Sequence, residues 1–159
     1  MGLRLQGKIA FVTGGTGGIG EVACRAFAAQ GARVAVAGRR VTEGERIAAE
    51  IRAAGGDAVF VETDVTRPES VRAALEATAK RFGGLNILYN NAGGSSAKDG
   101  PVTRTPPEVF WKTIELDLVG TWNCCHFGIP HLIKAGGGSV IALTIAVSAS
   151  SCSRASGPA

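Results

Sequence analysis

Residues 13–20, Thr-Gly-Gly-Thr-Gly-Gly-Ile-Gly, place five glycines between an apolar run at 8–12 and a segment whose apolar residues recur at helical spacing. A strand, a tight glycine turn and a helix start are what such a stretch predicts. Glycine carries no Cβ and tolerates positive φ, so a ligand can come right up to the backbone. The first N–H groups of the following helix have no partner within it, and the helix dipole adds partial positive charge there. The natural guest is an anion such as a pyrophosphate. A flexible glycine loop that holds nothing is the competing reading of the turn on its own, so the rest of the chain decides between them.

The run KIAFV at 8–12 suits a strand buried on both faces. A helix is expected over 18–30, with Ile19, Val22, Ala23, Ala26 and Phe27 on its apolar side and Gly31 as its stop. RVAVA at 33–37 is a second strand. Thr42-Glu43-Gly44-Glu45 matches a capping box and opens a helix to Ala54; AVFV at 58–61 is a third strand. Thr66-Arg67-Pro68-Glu69 repeats the box ahead of a helix to Phe82, and LNILY at 85–89 is a fourth strand leading into Asn90-Asn91-Ala92-Gly93. A polar loop, a third box at Thr105-Pro106-Pro107-Glu108, a long helix to Ile133 and a strand SVIALTI at 139–145 complete the series. Strands alternating with helices predict an α/β fold, a doubly wound parallel sheet with helices on both faces. Ligands of such sheets bind outside the carboxyl ends of the strands. The glycine turn, Gly38-Arg39-Arg40, Asp64 and Asn90-Asn91 all fall at such ends, which favours the dinucleotide reading.

A chain of 159 residues is one domain's worth. No apolar run approaches the roughly 18 residues of a membrane span, and the first residues lack a signal peptide's apolar core, so the expected compartment is the cytoplasm and no membrane partner is expected. The net charge of +4 comes from scattered basic residues with no aromatic interleaving, which argues against a nucleic-acid partner. Four cysteines without CxxC spacing read as reduced and structural, and His126 and His131, five apart, do not form an i, i+4 ligand pair, so no metal is expected.

With TGGTGGIG, the TDV at 63–65 and the NNAG at 90–93 in order at strand ends, the chain resembles the classical short-chain dehydrogenase/reductase family over residues 5–143. The resemblance implies a Rossmann-type fold with five of the family's strands present, over residues 1–145. It implies that Gly14, Gly18 and Gly20 are the glycines of the cofactor loop, with Thr16 and Ile19 lining it. Asp64 resembles the aspartate that takes the adenine amino group, with Val65 packing beside the ring. Asn91, Ala92 and Gly93, after Asn90, resemble the turn that steadies the sheet and flanks the adenosine ribose. An NAD-specific enzyme places an acidic residue at the end of strand two; this chain has Gly38 followed by Arg39 and Arg40. A guanidinium suits a 2′-phosphate, so NADP(H) is favoured over NAD(H).

The family's chemistry is a proton relay: a tyrosine with a lysine four residues on, a serine that orients the substrate oxygen, and an asparagine in the long helix. Here the only tyrosine is Tyr89, four residues before Gly93. The serine position falls at Ile145, beside Thr144 and with Ser148 as the nearest serine, and Asp117 occupies the asparagine position. No catalytic residue is assigned. Residues 146–159 are serine- and alanine-rich without periodicity and read as a disordered tail. The expectation is an alcohol/carbonyl oxidoreductase in a truncated or frame-shifted form, inactive as it stands, with a small alcohol or carbonyl substrate only if the missing part is supplied. The alternative is a non-catalytic dinucleotide-binding sensor or interaction module. An uncovered long helix, with Phe110, Trp111, Ile114, Leu118, Trp122 and Phe127 as candidate patch residues, and an apolar edge strand at 139–145 predict self-association, and a homo-oligomer is compatible with the family.

Overall fold

A computed structural model describes residues 2–94, 98 and 100–143. Its strands are β1 (Ile9–Thr13), β2 (Arg33–Gly38), β3 (Asp57–Glu62), β4 (Ile87–Asn90) and β5 (Ser139–Ala142). Its helices are α1 (Gly18–Ala29), α2 (Val41–Ala53), α3 (Pro68–Phe82), α4 (Pro107–Thr113) and α5 (Gly120–Lys134), with a π-helical segment, Ile114–Val119, joining the last two. All strand pairs are parallel, in the order β3-β2-β1-β4-β5. The chain therefore winds outward from β1 through β2 to β3, then crosses back to lay β4 on the other side of β1. That reversal opens a crevice at the carboxyl ends of β1 and β4, and the glycine turn leaves β1 at that point.

Alternation along the strands sorts the core into two layers. Ile9 and Phe11 face Val71, Leu75, Cys124 and Leu132 on one side of the sheet. Ala10, Val12, Val34 and Val36 face Cys24, Ile47 and Ile51 on the other. The central strands are thus buried on both faces, which is why they read as continuous apolar runs.

None of the three expected capping boxes forms. Helix α2 begins at Val41, so Thr42 is already inside it, and its N-cap is Arg40 with no side-chain hydrogen bond. The N-caps of α3 and α4 are Arg67 and Pro106, one residue past each threonine, and neither makes a capping side-chain bond. Thr66 instead gives its hydroxyl to Asp64, and Thr105 gives its own to the Gly100 carbonyl at 2.8 Å. The single long helix is also corrected to α4, π turn and α5. The expected tail at 146–159 and the end of the last strand at 144–145 lie outside the described residues.

Candidate dinucleotide site

A cavity of roughly 740 Å³ lies over the carboxyl ends of the strands. Its walls are the glycine turn, the β2–α2 corner at 38–40, Thr63–Val65 after β3, Asn91–Gly93 after β4, the π segment at 116–118 with Thr121, and Ala142–Leu143 at the end of β5. Of the residues singled out from sequence, Gly14, Thr16, Gly18, Ile19, Arg39, Arg40, Asp64, Val65, Asn91, Ala92, Gly93 and Asp117 all border it. Gly20 does not. It sits behind the turn, where a Cβ would run into the Gly14 carbonyl oxygen and come within 2.7 Å of Asn91 Nδ2. Its work is to let α1 approach the strand ends.

The turn is bent by Gly14 and Gly18, with φ of 63° and 55°, values that a side chain would strain. No atom lies within 4 Å of where a Gly18 Cβ would be, so that glycine is required by the backbone angle and leaves the cavity face open. Thr13, 1% exposed, anchors the turn to β4: its hydroxyl accepts from the backbone N–H of Asn91 at 3.0 Å and of Ala92 at 2.9 Å. Asn91 returns the link by donating Nδ2 to the Thr13 carbonyl at 3.1 Å. Thr13 had no role in the sequence reading. The hydroxyl type at the last residue of a strand opposite an Asn-Asn turn was the available signal. Asn90 points away from the cavity, 2% exposed with Nδ2 against Cys125 Sγ at 3.4 Å.

At the end of β2 the space beside Gly38 is filled. A Cβ on Gly38 would stand 2.7 Å from Thr16 Cγ2, so the threonine of the turn occupies the space where an acidic side chain would project. Past β3, Asp64 Oδ1 accepts from Thr66 N at 3.1 Å and Thr66 Oγ1 at 2.8 Å, which fixes the carboxylate in a local turn. Val65, 6% exposed, is held by α5: Asn123 Nδ2 donates to the Val65 carbonyl at 2.9 Å, and a Cβ on Gly120 would stand 2.7 Å from Val65 Cγ2. The glycine in the middle of the expected long helix is there to let the β3 loop close on it.

Asp117 lies in the π segment, a form of helix that commonly marks functional positions. Its Oδ1 accepts from Gly94 N at 3.1 Å and would stand 2.9 Å from a Cβ on Gly93, so the carboxylate binds the loop after β4. Tyr89 is half-buried against the core, its ring edge-on to Phe27 at 5.8 Å, and does not border the cavity. Ile145, Thr144 and Ser148 lie outside the described residues. Burial pushes the thiols of Cys24 and Cys124 up to about 12, so neither is a thiolate nucleophile at neutral pH. Among the described residues no three His, Cys, Asp or Glu side chains converge as metal ligands, and no helix is long and apolar enough to cross a membrane.

A glycine turn at a helix N-terminus, an open cavity over the strand ends and a carboxylate held on its far side are arrangements that fit an elongated anionic dinucleotide. The family model described as short chain dehydrogenase matches residues 8–156. The chain is 40% identical over 136 residues to an L-fucose dehydrogenase of Oryctolagus cuniculus, covering 86% of this chain and 46% of that protein. It is 37% identical over 141 residues to the 2,5-dichloro-2,5-cyclohexadiene-1,4-diol dehydrogenase LinX of Sphingobium indicum, covering 89% and 56%. A peroxisomal 2,4-dienoyl-CoA reductase of Arabidopsis thaliana is 35% identical over 148 residues, covering 86% and 48%. The chain spans about half the length of these relatives.

Proposed function

We propose, since this chain belongs to the short chain dehydrogenase family, that it forms the cofactor-holding half of an NADP(H)-dependent alcohol/carbonyl oxidoreductase. The observation that carries the cofactor choice is the β2–α2 corner. Thr16 fills the space at Gly38, leaving no place for a carboxylate that would take ribose hydroxyls, and two guanidinium groups follow it at the cavity rim.

In this reading the pyrophosphate rests on the N–H groups of the turn and the start of α1, helped by the helix dipole. Asp64, whose Oδ1 is committed to Thr66, offers its other oxygen to the adenine amino group, while Val65 with Leu116 and Leu118 of the π segment forms an apolar wall beside the ring. Asn91 and Thr13 keep the β1 and β4 ends at a fixed spacing under the ribose, and Asp117 holds the loop that follows. Bound NADP(H) supplies hydride transfer. The sequence has one tyrosine, Tyr89, whose ring is half-buried against Phe27 and does not border the cavity, so in this reading these 159 residues bind the cofactor without turning it over. The named relatives act on a sugar, a cyclohexadiene diol and a dienoyl thioester, so the substrate class beyond an alcohol or carbonyl is not fixed by kinship.

Calorimetric titration with NADPH and NADH tests the proposal. Tighter binding of NADPH with no carbonyl-dependent oxidation is the expected result. Absence of binding by both would overturn the cofactor reading, and turnover would overturn the claim that these residues only bind.

A further inference from the structure

Arg39 and Arg40 are neighbours in sequence and both border the cavity, yet their surroundings differ. Arg40 Nη2 donates to the Thr16 carbonyl at 2.9 Å and Nε to the Thr16 hydroxyl at 3.4 Å. Its Nη2 lies against Gly17, where a Cβ would run into it. Gly17 has φ of 172° and ψ of 176°, extended backbone that any residue adopts, so the backbone angle does not demand a glycine there. A side chain at 17 would instead displace the tip of Arg40 from its place against the turn. Arg39, by contrast, makes no hydrogen bond or ion pair among the described residues. Both arginines are exposed, and Arg39 also lines a shallower hollow of roughly 460 Å³ beside the main cavity.

We propose that Arg40 is a positioning residue that clasps the glycine turn through Thr16 and is not itself a ligand of the 2′-phosphate, which the reading above then leaves to Arg39. The second half rests on the NADP(H) reading above. The physical case is one of commitment. Two of the five N–H donors of Arg40 are directed at Thr16, and swinging that fork onto a phosphate would release the turn on which the pyrophosphate is to rest. Arg39 has its whole fork available, and it follows directly on the glycine where an NAD-specific chain places its acid. Thr16 is the shared part. It is held from one side by Gly38, against which its methyl packs, and from the other by Arg40, so the β2–α2 corner sets the shape of the turn.

Two measurements separate the halves. In the ligand-free chain, hydrogen exchange of the turn amides 14–20 is expected to quicken in Arg40→Ala and in Gly17→Ala, to be no quicker in the double variant, and to be unchanged in Arg39→Ala. The non-additivity arises because each substitution removes the same clasp. In calorimetric titrations, Arg39→Ala is expected to lose about tenfold or more in NADPH affinity with NADH affinity unchanged, the scale of a lost charge-assisted contact. Arg40→Ala is expected to weaken both cofactors by a similar factor, leaving their ratio within about twofold. Unchanged exchange in Arg40→Ala, or additive effects with Gly17→Ala, would overturn the clasp. Loss of the NADPH preference in Arg40→Ala but not in Arg39→Ala would overturn the division. If the unaltered chain binds neither cofactor, the NADP(H) reading and the phosphate role of Arg39 fall together, and the exchange result still judges Arg40.

Discussion

Thr13 shows how much one hydroxyl can hold. It serves two backbone N–H groups that would otherwise be unpaired at the base of the cavity, and it is 1% exposed, so water cannot replace it. Thr13→Val keeps the shape and removes the acceptor. The expected cost is about 1–3 kcal/mol, the penalty of leaving buried donors unsatisfied, read as a lower midpoint of urea unfolding at fixed protein concentration. An unchanged midpoint would mean that the β1 and β4 ends are tied elsewhere. The thiols make a second residue-scale expectation. Cys24 and Cys124, raised to about 12 by burial, should resist iodoacetamide at pH 8 in the folded chain and react once urea unfolds it; modification of either at the same rate in both states would contradict their placement in the core. At this scale most residues that wall the cavity were legible from sequence, because they fall at strand ends. Gly20 was the exception. It was read as a glycine of the cofactor loop and instead makes room for another part of the protein, a distinction that depends on three-dimensional neighbours which no motif contains.

Between elements, α1 and α2 are joined by a ring of four charges. Arg25 donates to Glu21 at 2.8 Å and to Glu50, and Arg46 pairs with Glu50 at 2.8 Å and Glu21 at 3.5 Å. The hydrogen bond from Arg25 holds the Glu21 carboxyl below its usual 4.5, and Glu50 is lowered by the same arginine and then by Arg46. A carboxyl whose folded value is lowered contributes stability that is present above its unfolded value and is lost as pH falls through the folded one. The chain should therefore lose stability on acidification below about 4.5, and Glu21→Gln should flatten that part of the pH profile while costing at most ~1 kcal/mol at pH 7, less in high salt. Thermal melting across pH 3–7, with and without the substitution, reads this out; identical profiles would show the ring to be inert. The alternation of elements was plain in the sequence because apolar period and glycine stops agree at each joint. The helix starts were misread. Thr42, Thr66 and Thr105 fit the capping pattern, but nearby loop partners, Asp64 and the Gly100 carbonyl, took the hydroxyls of Thr66 and Thr105, and α2 starts ahead of Thr42. The π turn at Ile114–Val119 has no signature in residue type; it is imposed where Asp117 must meet Gly94 while Gly120 meets Val65.

At the scale of the molecule the two sides of the sheet end differently. On the β3 side, Arg33 pairs its side chain with the Phe82 carbonyl at 2.7 Å and α2 covers the strand. On the β5 side all four strand residues are exposed, and the strand has no neighbour beyond it among the described residues. The helix beside it is equally bare: Phe110, Trp111, Leu118 and Trp122 are each at least half exposed. Of the other expected patch residues, Ile114 is half-buried and Phe127 packs on the core. Trp122 stacks on His126 at 4.8 Å, a pairing that hides one ring face and leaves the rest to solvent. An apolar helix face contiguous with an unpaired strand edge lowers its free energy by meeting another such surface, and nothing on the edge, neither proline nor charge within Ser139–Ala142, opposes pairing. The 159-residue chain expressed alone should therefore sediment as a concentration-dependent oligomer. Leu118→Glu with Trp122→Glu, which place charge on the helix face without touching the core, should shift it toward monomer. Ile141→Lys tests the edge separately, because a lysine there blocks strand pairing and leaves the helix face intact. A monodisperse monomer with cooperative melting for the unaltered chain would mean that both surfaces are stable in water as they stand.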